Sequence, residues 1–266
     1  MGNEGTTGSN HVHAAPPGTL RRRLAARQVT HGGWCMLSDA FAAEIVSASG
    51  VDWLCVDMQH GYAGDEAVRH MVQAAAIRAT PVLVRVPWNE PSVIMRALDA
   101  GADGVIVPMI NSASDARAAV AASRYPPLGT RSWGPLRASL AQPGFSPSVG
   151  NELTVCVAMV ETVEAVANLE EIVSVPGLDG ILIGPNDLAI SHRGSNDGAA
   201  TSSHDVELIR HVARLCERVG LCCGIVCASG ADAKRWQAAS FTLLALSSDV
   251  ALLADGMSAQ LSAARA

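Results

Sequence analysis

The sequence predicts a (β/α)8 barrel, eight parallel strands enclosed by helices, and three observations lead there. Eight short apolar runs alternate strictly with eight helix-like segments, the count a closed barrel requires. The runs lack polar alternation, so they read as strands buried on both faces, the habit of parallel sheets beneath helices. At 266 residues the chain has the size of such a barrel, ordinarily about 250 residues. Its composition, 49% apolar but only 4% aromatic, gives a core of Val, Ile, Leu and Ala.

Taken in order, Met1 to Gly18 is Gly, Ser, Thr, Asn, His and Pro, without the cationic start or apolar segment of a signal peptide. It is expected to be a disordered tail, so His11 and His13 are not read as metal ligands. Residues 19–266 are expected to form a single barrel domain. A helix over Thr19 to Gln28 carries the basic cluster Arg21 to Arg23 on a solvated face. The predicted strands are Gly33 to Leu37, Trp53 to Val56, Pro81 to Arg85, Gly104 to Val107, Thr154 to Met159, Gly180 to Ile183, Leu221 to Val226 and Thr242 to Leu246. Amphipathic or Ala-rich helices follow them at Phe41 to Ala48, Asp65 to Arg78, Ser92 to Ala100, Ser114 to Arg124, Val163 to Val173, Val206 to Val219, Ala231 to Ala238 and Ala251 to Ala264.

Gly50-Val51-Asp52, Gly101-Ala102-Asp103-Gly104 and Gly177-Leu178-Asp179-Gly180 each precede an apolar run. Gly suits the left-handed residue that ends a helix, and a short polar residue suits the tight entry to a strand. Common turn chemistry explains this echo without an ancestral repeat. Two connections are long: Tyr125 to Asn151, with five prolines, and Ser191 to Asp205. Lids, subunit contacts and disordered excursions all fit segments of this length.

A formal charge of −6 and the absence of any Lys/Arg-rich run argue against a nucleic-acid partner, which needs clustered cations. No run reaches the ~18 apolar residues that span a bilayer. The seven cysteines lack C-x-x-C spacing and mostly sit in apolar runs, so a reducing cytoplasm and no disulfide framework are expected.

The candidate chemistry lies where predicted strands end. Asp57 and His60 follow the second, Arg85 ends the third, Glu161 follows the fifth and Asp187 follows the sixth, all at the mouth where such barrels carry active sites. Glu161 and Asp187 offer hard oxygens that suit Mg²⁺, Mn²⁺ or Co²⁺ with waters completing an octahedron. With no Cys or His in the pair, structural zinc is not expected. Arg85 offers planar donors for a carboxylate or an enolate oxygen. A plainer reading stays open: Asp57, Glu161 and Asp187 as helix caps favoured by the dipole, and His60 as a surface loop residue.

Several stretches carry a family resemblance: Val-Asp-Met-Gln-His-Gly (56–61), Val-Arg-Val-Pro-Trp (84–88), Ala-Gly-Ala-Asp-Gly-Val-Ile-Val-Pro-Met (100–109), Tyr-Pro-Pro-Leu-Gly-Thr-Arg (125–131), Val-Glu-Thr (160–162) and Ile-Gly-Pro-Asn-Asp-Leu (183–188). In this order, from about Thr19 to the C-terminus, the chain resembles the HpcH/HpaI family of metal-dependent, class II pyruvate aldolases. The resemblance implies a TIM barrel in a homohexamer, a trimer of dimers, whose last helix is exchanged between neighbouring subunits. It implies that Glu161 and Asp187 hold the divalent metal, and that pyruvate chelates it through a carboxylate and a keto oxygen. Arg85 would stabilise the enolate oxygen. His60, oriented by Asp57, would act with a metal-bound water as base and return the proton to the aldehyde alkoxide. Backbone groups around Gly184 and Pro185 would line the pyruvate carboxylate, with Trp34 forming part of the wall.

Two departures bear on the substrate. Met159 stands where many members have Gln, which removes a hydrogen bond to the keto acid, and Ser-Trp-Gly-Pro follows Arg131 where others have Gly. The function implied is aldol cleavage and condensation of 2-keto-4-hydroxy acids through a pyruvate enolate, with oxaloacetate decarboxylation as a side reaction. Biosynthetic carbon-carbon bond formation on an unusual acceptor is the alternative within the class. A non-catalytic keto-acid-binding barrel would not need the base in the set Asp57, His60, Arg85, Glu161 and Asp187. A phosphate-dependent barrel would want Gly-rich loops after strands seven and eight, for which Cys227-Ala-Ser-Gly and Ser247-Ser-Asp249 are weak candidates.

Overall fold

Eight parallel strands close on themselves in the order of the chain: β1 (Thr30–Cys35), β2 (Trp53–Asp57), β3 (Val82–Arg85), β4 (Gly104–Val107), β5 (Val155–Val160), β6 (Gly180–Ile183), β7 (Cys222–Val226) and β8 (Leu243–Ser248). Helices run between them, so the molecule is the expected (β/α)8 barrel. The computed structural model describes residues 18–197, 199 and 202–266. The expected tail, with His11 and His13, therefore lies outside the described residues except for Gly18, as do positions 198, 200 and 201 of the second long connection.

Every strand is buried on both faces, and the two faces serve different layers. Because side chains alternate along a strand, Trp53 and Cys55 of β2, Leu83 of β3, Ile106 of β4, and Val155, Val157 and Met159 of β5 point inward and fill the barrel. Their neighbours Leu54, Val56, Val82, Val84, Val105 and Cys156 point outward and pack under the helices. The first helix, Thr19–Ala25, adds Leu20 and Leu24 to the interior cluster. The same alternation carries Asp57, Arg85 and Glu161 to the inner side of the rim, two residues beyond Cys55, Leu83 and Met159.

Several boundaries depart from expectation by two or three residues, among them the first helix, which ends at Ala25 rather than Gln28, and four departures have a readable cause or change the element count. β1 covers Thr30–Cys35 rather than Gly33 to Leu37, because Gly32 belongs to the strand: it pairs with Trp53, and a Cβ on it would lie 2.2 Å from the indole. The helix expected over Val163 to Val173 is two, Val163–Ala167 and Leu169–Val173. They divide at Asn168, whose side-chain amide donates to the Asn111 carbonyl at 2.8 Å. The connection 125–151 contains helices Leu136–Ala141 and Pro147–Leu153, the latter capped by Ser146, which accepts from the Val149 N–H, and begun by a proline. A further helix, Pro185–Arg193, follows β6, with Pro at its start and Gly194 at φ 73° closing its end.

All seven cysteines are free and buried. Among the described residues no helix is long and apolar enough to cross a membrane.

Gly32→Ala tests the packing of the barrel floor, since Trp53 is fully buried and its ring cannot yield to a new methyl group. The variant should lose about 2 kcal/mol or more, seen as a lower urea midpoint at unchanged m-value; an unchanged midpoint would contradict this account of β1.

Candidate active site

The pairing of β2 with β3 sets Asp57 opposite Arg85. Both side chains point inward, and the guanidinium grips the carboxylate with two parallel bonds: Nε donates to Oδ1 at 2.8 Å, and Nη2 donates to Oδ2. Asp57 also accepts from the Trp34 indole N–H at 3.3 Å, and Arg85 stacks over that ring at 4.9 Å. Burial alone would push the Asp57 pKa up. The hydrogen bonds and charge of Arg85, helped by the Gln59 and His60 N–H groups, outweigh it and hold the carboxyl below its usual range. The same pairing offsets burial of Arg85 and keeps it charged.

This geometry corrects one expectation. Asp57 accepts from the backbone N–H of His60 at 3.3 Å and bonds to Arg85, so its carboxylate orients the guanidinium and not the imidazole. The His60 ring is exposed at the cavity and has no hydrogen bond to a described residue. Gly61 fixes the loop that presents it, because a Cβ there would meet the Asp57 carbonyl at 2.3 Å and the Met36 carbonyl at 2.9 Å. Asp57 does not cap the following helix either, whose N-cap is Gly64.

Across the rim, Val160 pairs with Ile183, which brings the next residues, Glu161 and Gly184, together. A Cβ on Gly184 would lie 2.5 Å from Glu161 Oε2, so glycine makes room for the carboxylate. Glu161 is 1% exposed and accepts the Met109 N–H at 2.7 Å; Met109 holds a left-handed φ of 55° to aim it. Thr162, not Glu161, caps the helix that follows. Burial raises the Glu161 pKa to about 7, opposed by the Met109 bond, reinforced by the charge of Asp187 and offset in part by Arg85. Asp187 sits half-buried in the first turn of Pro185–Arg193, where the helix dipole also favours a negative charge.

A cavity of about 290 Å³ opens at this rim, and its lining includes Trp34, His60, Arg85, Met159, Gly184, Pro185 and Asp187. Glu161 lies directly behind Gly184. The structure thus gathers all nine sequence-derived candidates in one region, with Asp57 and Glu161 buried behind the surface that the others form. Sequence reasoning missed Met36, Val226, Leu246 and Asn186 as lining residues and Met109 as the backbone support of Glu161. Met36 follows β1, Val226 ends β7 and Leu246 stands two residues before the end of β8, so the same search around strand ends finds them once apolar residues are admitted. Cys227 also lines the cavity, but burial pushes its pKa to about 12 and keeps it a thiol. A second cavity, of about 260 Å³, lies at the opposite end of the barrel beside Asp103 and Arg137, away from these residues.

The sequence profile of the family described as HpcH/HpaI aldolase/citrate lyase matches residues 31–256. The hydroxypyruvate/pyruvate aldolase of Rhizorhabdus wittichii is 37% identical over 83% of this chain and 88% of its own length. The 4-hydroxy-2-oxo-heptane-1,7-dioate aldolase of Salmonella arizonae is 34% identical over 89% of this chain and 90% of its own. Among solved structures, an HpcH/HpaI aldolase/citrate lyase family protein from Burkholderia cenocepacia superposes with a TM-score of 0.87 at 29% identity, covering 94% of this chain and all of that one.

The raised pKa of Glu161 has a testable sign. The folded chain holds a proton that the unfolded chain releases near pH 4.5, so this group costs metal-free protein stability as pH rises from there to about 7. Glu161→Gln keeps an acceptor for the Met109 N–H and removes that cost. In EDTA at alkaline pH the variant should exceed the parent by on the order of 2 kcal/mol in urea unfolding, the gap closing as the pH falls towards 4.5. A variant less stable than the parent at alkaline pH would contradict the assignment.

Proposed function

This chain belongs to the HpcH/HpaI aldolase/citrate lyase family, and we propose that it is a divalent-metal-dependent lyase joining and parting pyruvate and an aldehyde. Its substrates in the cleavage direction would be 2-keto-4-hydroxy acids. The observation that carries this reading is the balance of charge at the rim. Asp57 pairs with Arg85, which lowers Glu161 only in part, so burial, reinforced by the charge of Asp187, still raises Glu161 to about 7. A dication fits that deficit, and the hard oxygens of the pair suit Mg²⁺, Mn²⁺ or Co²⁺. Among the described residues no cluster of three or more His, Cys, Asp and Glu is placed to hold a metal. Two carboxylates leave coordination positions for water and substrate oxygens, which is what a catalytic site needs.

When bound, the metal supplies Lewis acidity at the keto oxygen of the 2-oxo acid, which makes its methyl group acidic. The chain does the rest. Arg85, with Nε and Nη2 fixed by Asp57, directs its remaining Nη1 donors at the oxygen on which enolate charge develops. The first-turn N–H groups of Asn186 and Asp187, free of intrahelical partners by position, meet the carboxylate. His60 takes the 4-hydroxyl proton in cleavage and returns it to the alkoxide in condensation. Trp34 and Met159 keep water from the reacting carbon. Oxaloacetate would reach the same enolate by losing carbon dioxide, so decarboxylation accompanies the main activity.

Residues 19–266 act as one catalytic domain in this reading, and seven free thiols suit the cytoplasm. The last helix, Asp249–Arg265, leaves Leu252, Leu253, Met257 and Leu261 exposed. A second copy of the chain would cover them, as helix exchange within a hexamer requires.

Exchange of pyruvate methyl protons with deuterated water tests the enolate directly. It should vanish in EDTA, return with Mg²⁺ or Mn²⁺, and fall by about 100-fold or more in Arg85→Ala; exchange indifferent to EDTA would refute the metal, and unchanged exchange in the variant would refute the role of Arg85. His60→Ala should slow aldol cleavage by about 100-fold while largely sparing oxaloacetate decarboxylation. Equal losses in both reactions would contradict the assignment of His60.

A further inference from the structure

The cavity at the rim has two unlike halves. His60, Arg85 and Asp187, with Glu161 behind them, form the half described above. Beyond them, Met36, just past the end of β1, and Val226, the last residue of β7, turn apolar side chains to the interior. Of the two hydroxyls on that side, Ser247 Oγ donates to the Ala228 carbonyl at 2.7 Å, while Ser248 Oγ accepts the Ala251 N–H at 3.2 Å and keeps its own O–H. Cys227 Sγ donates to the Ile225 carbonyl at 3.6 Å. Among the described residues Arg85 is the only Arg or Lys lining the cavity, and the single lysine of the chain, Lys234, is not among the lining residues.

We infer that the acceptor is an uncharged aldehyde with an aliphatic substituent, seated against the Met36 and Val226 wall. The inference rests on the lyase reading and adds the substrate class to it. With the 2-oxo acid held on the polar half, the incoming carbonyl stands at His60 and its substituent extends across the cavity. An apolar chain there exchanges water for methionine and valine side chains, which favours longer chains until the cavity is full. An acceptor with a distal carboxylate would bring its charge to a wall that offers no cation among the described residues, and burying it there is unfavourable. Met159 extends the same character beneath the reacting carbons, where it packs within reach of Gly184.

The test is the rate of pyruvate addition to aldehydes by the full-length, Mg²⁺-loaded protein, with methyl exchange measured on the same preparation. From propanal to pentanal kcat/KM should rise by about fourfold per methylene, and succinic semialdehyde should fall at least about tenfold below butanal. Val226→Arg, which places a guanidinium on the wall, should raise the ratio of succinic semialdehyde to butanal by about tenfold or more. Val226→Ala, which removes wall without adding charge, should flatten the chain-length gradient. A parent that prefers succinic semialdehyde, or a ratio unmoved in Val226→Arg, would overturn the acceptor assignment. Methyl exchange separates the two levels: exchange with a preference for charged acceptors sinks only this inference, whereas absent exchange sinks the lyase reading beneath it.

Discussion

Asp57 and Arg85 stand side by side at the ends of β2 and β3, and their ion pair sets the electrostatics of the whole rim. A guanidinium left alone at this depth would serve as counter-ion to the nearest carboxylate, which would be Glu161. Held by two bonds to Asp57, it reduces the charge of Glu161 only in part, and burial with Asp187 nearby still lifts that group to about 7. Removing one partner of such a pair costs about 3–5 kcal/mol because the other is left buried and charged. The pair therefore does two things: it fixes the orientation of Arg85, and it preserves an excess of negative charge for a cation to neutralise.

The geometry around that pair follows from barrel closure and the two-residue period of a strand. Inward positions below the rim are Trp53, Cys55, Leu83, Val157, Met159 and Leu182, which pack into a solid floor. One step higher the same columns carry Asp57, Arg85, Glu161 and Gly184. Polar groups from segments over 100 residues apart thus meet without any local motif. Glycine supplies the remaining space: Gly184 clears Glu161 Oε2, and Gly61 lets the His60 loop pack onto two backbone carbonyls.

Much of this was legible in the sequence. The eight apolar runs give the strands because a run buried on both faces has no polar residue to blur it. Asp57, Arg85 and Glu161 could be placed at the mouth because they stand at or just past the ends of such runs, and a strand end in this fold has only one place to be. What strand ends do not reveal is which neighbour a side chain chooses: His60 lies three residues from Asp57, yet the partner of Asp57 is Arg85, 28 positions away and across the ladder. The helices within 125–151 escaped notice because prolines suggested a loop, although Ser146-Pro147 is a readable helix start. The apolar half of the cavity was overlooked for another reason: Met36 and Val226 look like core residues until the closed barrel shows that they face open space.

The account stands on the claim that Glu161 and Asp187 together hold one dication. Calorimetric titration of Mn²⁺ into the parent and into Glu161→Gln and Asp187→Asn measures it most directly. One ion bound per chain in the parent, and none in either variant that retains the parent's circular dichroism, is the predicted result; an ion bound with the parent's affinity in both variants would contradict it.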